Sequence, residues 1–447
     1  MSLSPVSRAL FSPGGSSLVS APRTPVPVLV LAVAGAVTVG NLYFPQPLLE
    51  AVARGMDVSA NTAGFIASSA QIGYALGILL LVPLADTVNL RRLTTVLLAL
   101  TCAGLMVAAA APNALTLAVA TLALSTTTVL PQVLTPVGAA LAGPGRRGQV
   151  VGLIGLGLTL GSTASRSVSG ALFGLSGSWR TAYVVAAVAT AALLFVLPRR
   201  LPRHAGRRGA RLPYGRLLGT LPRLLAAHRE VRLAAAGGAA VFAAFSVFWA
   251  TLPFHLAAPP LELGAAFAGL FGLLTLPGAL LSAGAGRFTD RYGPRVVCGW
   301  SLGCVAVAFV VLGAWGDSAV ALALGANLLV LGTSGSQVAN QARVFALGDA
   351  IAARVNTLFM LASFGGGALG TLTATWLYGA YGWSATVLTA GAFVAAAFAV
   401  VAAAGVRGGA APGGTGDGTE TDVNRSGGAG SGTGVGAGHI PGARPGI

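Results

Sequence analysis

The sequence has no lysine, and only 11 of its 447 residues are acidic. Charged residues make up 9% of the chain and hydrophobic ones 55%, whereas a soluble domain carries roughly 25% charged residues. With a mean hydropathy of +0.79, that scarcity excludes a water-soluble globule. Cysteine is nearly absent as well. Cys102, Cys298 and Cys304 all fall inside apolar runs, a setting that fits neither a zinc site nor a disulfide framework and leaves them as small packing residues. No glycine-rich phosphate loop ending in Lys-Ser or Lys-Thr occurs, which excludes an ATP-driven pump. No serine–histidine–aspartate or metal-ligand grouping occurs either, so the chain is expected to be no enzyme and to hold no cofactor or metal.

What is present is a series of apolar runs long enough to cross a bilayer. Twelve can be counted, near 26–49, 61–83, 93–111, 114–140, 149–173, 180–198, 231–256, 263–284, 296–315, 318–345, 355–378 and 383–405. The 27 basic residues are all arginine, and the net charge is +16. Their placement argues against nucleic acid as a partner, because they cluster in the loops after spans 2, 4, 6, 8 and 10. The opposite loops hold only Arg54 and Arg180, beside Glu50, Asp57, Glu262 and Asp317. Loop arginines mark the cytoplasmic side, so both termini are expected inside. Residues 1–24 are Ser/Pro-rich and carry no cleavable signal.

The chain repeats itself at long range. Asp86 and Asp290 stand 204 residues apart, and so do Trp179 and Trp383, and Gly161 and Gly365. A period of that length implies a duplicated six-helix half, since solenoid units are far shorter. The expected fold is an all-α membrane protein of twelve transmembrane helices in two pseudo-symmetric halves. The expected divisions are an N-terminal tail (1–24), the first half (25–198), a basic segment (199–230), the second half (231–405) and a Gly-rich tail (406–447) too poor in apolar residues to order itself. Residues 199–230 include a candidate amphipathic surface piece, LLGTLPRLLAAH; the plainer expectation is a basic linker that only joins the halves.

The loop after span 2, VPLADTVNLRR, and the one after span 8, GRFTDRYGPR, resemble the signature loop of the major facilitator superfamily, G-x-L-a-D-r-x-G-r-r. The first copy keeps Leu84, Ala85, Asp86 and Arg91, with Val82 and Asn89 where glycines are usual. The second keeps Gly286, Asp290, Arg291, Gly293 and Arg295. Within that family, NLYFPQPLLE, SRSVSG and SQVANQARVFAL resemble a bacterial subgroup of exporters close to the twelve-span drug:proton antiporters. The resemblance implies a monomeric secondary transporter in a bacterial inner membrane, with a small-molecule substrate, protons and the lipid bilayer as partners. It also implies that the Asp86 and Asp290 motifs, with Arg91, Arg291, Gly293 and Arg295, gate the two halves. The family's glycine pattern on helix 5 is partial: Gly157 and Gly161 match, while Ser162 replaces its proline.

Candidate cavity residues are polar or aromatic groups on interrupted or amide-bearing spans. They are Tyr43 and Gln46 beside Pro45 and Pro47, Gln132 between Pro131 and Pro136, Phe245 and Trp249 on span 7, and Gln337, Asn340 and Gln341 at i, i+3 and i+4 on span 10. Arg166 is the most informative single residue. It sits about four residues, or ~6 Å, past the middle of span 5, where a charge is costly unless it faces water or a partner. Three roles are open to it: binding an anionic part of the substrate, hydrogen bonding to nearby carbonyls and amides, or snorkelling to the surface. No acidic residue falls mid-span, which weakens proton antiport through the cavity and leaves Glu50, Asp86 and His255 as protonatable groups.

Overall fold

The computed structural model describes residues 28–142, 146–201, 214–348 and 351–406, all helical or connecting, with no strand among them. The expected tails lie outside these residues apart from Val406, and the side chain of Asp86 lies outside the description too.

Span 1 comprises α1 (Val28–Tyr43), a 3-10 turn (Gln46–Leu48) and α2 (Leu49–Gly55). Pro45 and Pro47 remove backbone donors and force this interruption, after which the helix resumes and runs six residues past the expected end. Span 2 is α3 (Ala60–Leu80), closed by a 3-10 turn (Val82–Asp86). Asn89, in place of the motif's glycine, accepts from the Arg91 and Arg92 amides and so caps α4 (Leu90–Ala109), which is span 3. Span 4 breaks before Pro131 into α5 (Ala114–Thr127) and α6 (Leu130–Leu141); α7 (Arg147–Ser176) and α8 (Arg180–Arg200) complete the first half.

After α9 (Tyr214–Ala227), the second half comprises α10 (Arg229–Ala257), span 8 as α11 (Ala265–Leu274), α12 (Leu276–Ser282) and α13 (Ala285–Tyr292), then α14 (Pro294–Ala314), α15 (Ala319–Phe345) and α16 (Ala352–Val406). Straight, the 55 residues of α16 would run ~80 Å, far beyond a bilayer core of ~30 Å. Gly382, at φ 70° and ψ −157°, folds it into spans 11 and 12. Ten helical segments among the described residues are long and apolar enough to cross a membrane. Splitting α16, and adding α7, whose serines, threonines and Arg166 dilute its 30 residues, makes twelve.

The two halves share their packing, with one change to the expected repeat. Gly157 and Gly161 let span 5 lie on the backbone of Ala32 and Ala36 in span 1, and Gly366 and Gly370 let span 11 lie on Ala239 and Ala243 in span 7. The matching glycines are therefore 209 residues apart, and Gly365, which shares the sequence interval with Gly161, has open space where a Cβ would stand. Gly370→Ala should accordingly cost about 1–3 kcal/mol through overpacking against the Ala243 carbonyl, while Gly365→Ala should cost nothing and gain up to about 1 kcal/mol of helix propensity. Thermal unfolding of the two purified variants checks this.

The basic segment does more than link. α9 begins three residues earlier than the expected amphipathic piece, buries Leu221, and touches both halves. Tyr214 donates its hydroxyl to the Leu80 carbonyl at 2.8 Å, and Thr220 accepts from Arg354 at 3.2 Å.

Candidate functional site

The interrupted helices and amides converge between the halves on a cavity of about 650 Å³. Its walls come from spans 1, 2, 4 and 5 and from spans 7, 8, 10 and 11. It runs from Tyr43 and Ser162 near the midplane to Gly152 and Gly286 near the arginine-rich ends of spans 5 and 8. No charged side chain is among the residues that line it. Aliphatic side chains and the rings of Phe242, Phe359 and Phe364 form much of the surface, with hydroxyls and amides set among them, a chemistry suited to a molecule with apolar area and a few hydrogen-bonding groups.

On the arginine-poor side the halves meet directly. A Cβ placed on Gly170 of span 5 would stand 2.7 Å from the Gly269 Cα of span 8, so the two backbones touch. The Ser167 hydroxyl donates to the Gly269 carbonyl at 2.8 Å and accepts from the Leu273 amide at 3.0 Å, within one turn of α11. Between spans 2 and 11, Ser68 donates to the Ala368 carbonyl at 3.2 Å and Gln71 donates to Thr371 at 2.9 Å. Ser246 of span 7 adds a 3.4 Å contact to the Gln71 amide oxygen. The molecule is therefore shut on the arginine-poor side, with its cavity directed to the arginine-rich side.

The structure separates the candidate residues. Tyr43, Gln132, Gln337 and Gln341 line the cavity, Gln132 with its amide 3.4 Å from the Tyr74 hydroxyl. Asn340 does not. At 100° per residue it lies 60° to one side of Gln337, whereas Gln341 lies 40° to the other, and it turns instead into the second half. There it is buried, donates to the Ser336 carbonyl at 3.0 Å and accepts from Arg343. Gln46 and Phe245 line a separate small pocket of about 40 Å³ on the arginine-poor side of Tyr43.

Arg166 and Trp249 line neither space. Arg166 is 4% exposed; its Nε donates to the Gln46 side-chain oxygen at 2.8 Å and its Nη1 to the Ser162 carbonyl at 2.7 Å. Its guanidinium lies 4.6 Å from the centre of the Tyr43 ring and 4.1 Å from that of Trp249. Of the three open roles, hydrogen bonding to amides and carbonyls is the one made in this conformation, with two aromatic faces added.

In the motif loops, Gly293 takes φ 84° between α13 and α14, Asp290 and Arg291 are exposed, and Asp290 has no ion pair among the described residues. Arg91 donates to the Leu201 carbonyl. Arg295 approaches Glu230 at 3.8 Å. Glu50 pairs with Arg54 four residues on, and His255 stacks on Trp383 and contacts the Gly316 carbonyl at 3.0 Å; neither lines the cavity.

Sequence reasoning missed Gln71, Ser167, Gly170 and Glu230. Gln71 is an amide inside an apolar run, so the criterion that selected Gln132 would have found it. Ser167 and Gly170 lie in the SRSVSG stretch that carried the family resemblance, but nothing in that stretch shows that it meets span 8.

A sequence profile described as Major Facilitator Superfamily matches residues 31–283. The chain is 34% identical over 374 residues to "Uncharacterized transporter YgaY" of Escherichia coli O157:H7, covering 83% of this chain and 93% of that one. It is also 34% identical to "Probable transporter SCO4007" of Streptomyces coelicolor, covering 82% and 84%. Among solved structures, the nucleoside transporter NupG superposes with a TM-score of 0.67 at 16% identity, over 84% of this chain and 98% of that one, a likeness of fold alone.

Proposed function

The chain belongs to the major facilitator superfamily, a family of multi-pass membrane transporters, and from that premise we propose that it exports a small amphiphilic molecule by alternating access. The observation that carries this reading is the uncharged, aromatic- and amide-lined cavity between two halves that touch backbone to backbone on one side only. The arginine-rich side is the cytoplasmic one under the positive-inside rule. The conformation is then inward-facing, both termini are cytoplasmic, and a bacterial inner membrane is the setting. Rocking the halves about the midplane would carry a bound molecule from one side to the other, the protein acting as a monomer.

The resemblance favours proton antiport. The cavity wall favours the second reading, transport of an organic anion or sugar-like metabolite without it, because no carboxylate or histidine lines the cavity. Everted membrane vesicles from cells stripped of their own exporters test both readings, using fluorescent amphiphiles of positive, zero and negative charge. The expected result is uptake of at least one dye above vesicles lacking the protein. Gln337→Leu and Gln341→Leu should each raise KM about five-fold, the worth of one hydrogen bond. Failure of all three dyes would remove the amphiphile exporter. For the positively charged dye, whose one-for-one exchange with a proton moves no net charge, nigericin in potassium medium removes the pH gradient and leaves the potential: proton antiport stops and uncoupled transport continues.

A further inference from the structure

Arg166 is a buried cation with neutral partners only. Among the described residues it has no ion pair; its acceptors are the Gln46 amide and its own helix's Ser162 carbonyl. A buried charge without a counter-charge is among the costlier features a fold can hold. A second donor waits beside it: the Trp249 indole N–H, on a side chain only 2% exposed, has no hydrogen-bond partner, and its ring is the one 4.1 Å from the guanidinium. Tyr43 stands between this pair and the substrate cavity, since its ring lies against Arg166 and the same residue lines the cavity.

We infer that Arg166 and Trp249 form an anion subsite behind Tyr43, and that the cargo is a singly charged amphiphilic oxyanion. The inference rests on the transport reading above. A rotation of the Tyr43 ring would admit a carboxylate or sulfonate, which replaces the Gln46 amide as acceptor and takes the indole N–H with its other oxygen. Phe242 and Phe364, which line both the cavity and the pocket beyond Tyr43, cover the apolar body of the cargo. A bond between two ions is stronger than the guanidinium–amide bond it displaces, so the guanidinium gains by the exchange.

Such a cargo also supplies the driving force. Each cycle moves one negative charge outward, and an inside-negative potential of 100 mV then sustains a gradient of about 50-fold. No proton carrier is required. The missing intramembrane carboxylate and the unpaired arginine become two sides of one design.

The probes are the carboxylates and the matching primary amides of naphthalene, biphenyl and decane, tested on the purified full chain. At saturation at least one carboxylate should raise the unfolding temperature by about 3–5 °C, and its amide should not. Arg166→Gln should abolish that difference while unfolding no lower than the wild type, because it removes the uncompensated charge. Trp249→Phe, which keeps the ring, should weaken carboxylate binding about five- to ten-fold and leave amide binding alone. In proteoliposomes at equal pH, a potassium–valinomycin potential should drive the carboxylate to about 50-fold accumulation per 100 mV.

Equal response to carboxylate and amide, or a preference that survives in Arg166→Gln, would overturn the subsite. Amide flux equal to carboxylate flux would do the same while leaving the transporter reading intact. Response to none of the six probes also counts against it, and the dye experiment then judges the transporter reading separately. Flux that follows a pH gradient and ignores the potential would overturn the driving force.

Discussion

Gly170→Leu should leave a folded protein that no longer closes on its arginine-poor side. Transport should fall by about one to two orders of magnitude. At Gly170 a Cβ would stand 2.7 Å from the Gly269 Cα and within 3.1 Å of the Ala265 and Ala266 carbonyls. All of these are backbone atoms, which cannot rotate out of the way as a side chain would, so a leucine can be housed only by moving span 5 away from span 8. Such a movement is one the molecule already needs if its halves rock, and overpacking at this contact costs about 1–3 kcal/mol. Two conformations that differ by a few kcal/mol are redistributed up to about 100-fold by that cost. The contact lies between the halves and outside the core of either, so the unfolding temperature should change little. Spin labels at Ser176 and Glu262, in a background without the three native cysteines, should move apart in the variant. An unchanged distance with normal transport would mean that this contact does not gate. Gly170→Ala should give the same displacement in smaller degree.

The twelve spans follow from hydropathy, because the length of an apolar run that crosses is set by the bilayer and needs no knowledge of packing. Span ends follow less well: α13 continues through the polar sequence GRFTDRY, since a helix does not stop where the hydrocarbon does. Gln132, Gln337 and Gln341 could be placed because an amide in an apolar run has few places to go. Arg166 shows the limit. Its position in the membrane was predictable, but its partners were not, because Gln46 lies 120 residues away and the Trp249 face comes from the other half. Asn340 shows a smaller limit, in that i+3 and i+4 share a face only loosely and 100° separates them. The closing contact of Gly170 with Gly269 is a backbone approach, and the Ser167 hydroxyl bonds only backbone atoms of span 8, so neither leaves a mark in composition.

Glu230 exposes the same limit at a boundary, and it carries the second large effect. On charge alone it belongs with the basic linker, whose expected end is residue 230. The structure puts it in the first turn of α10, where the helix dipole favours a carboxylate. Its Oε2 accepts from Arg343 Nη2 at 2.6 Å and Nε at 3.2 Å, and Arg343 lies in the last turn of α15, where a cation is favoured for the opposite reason. The Arg343 side chain is only 6% exposed, against 31% for Glu230, and Arg295 completes the group at 3.8 Å. The motif arginine therefore helps to clamp spans 7, 9 and 10 within the second half in this conformation. Glu230→Gln strands a buried guanidinium and should cost about 3–5 kcal/mol, seen as a drop in unfolding temperature of the purified protein. Arg343→Met should cost less, because it leaves a carboxylate that is partly in water and still near Arg295. The double variant should be more stable than Glu230→Gln alone, since removing both charges removes the stranded one. If the double variant were as unstable as the sum of the singles, the two residues would be acting independently, and the clamp would owe its strength to packing around Asn340 and Cys298 instead.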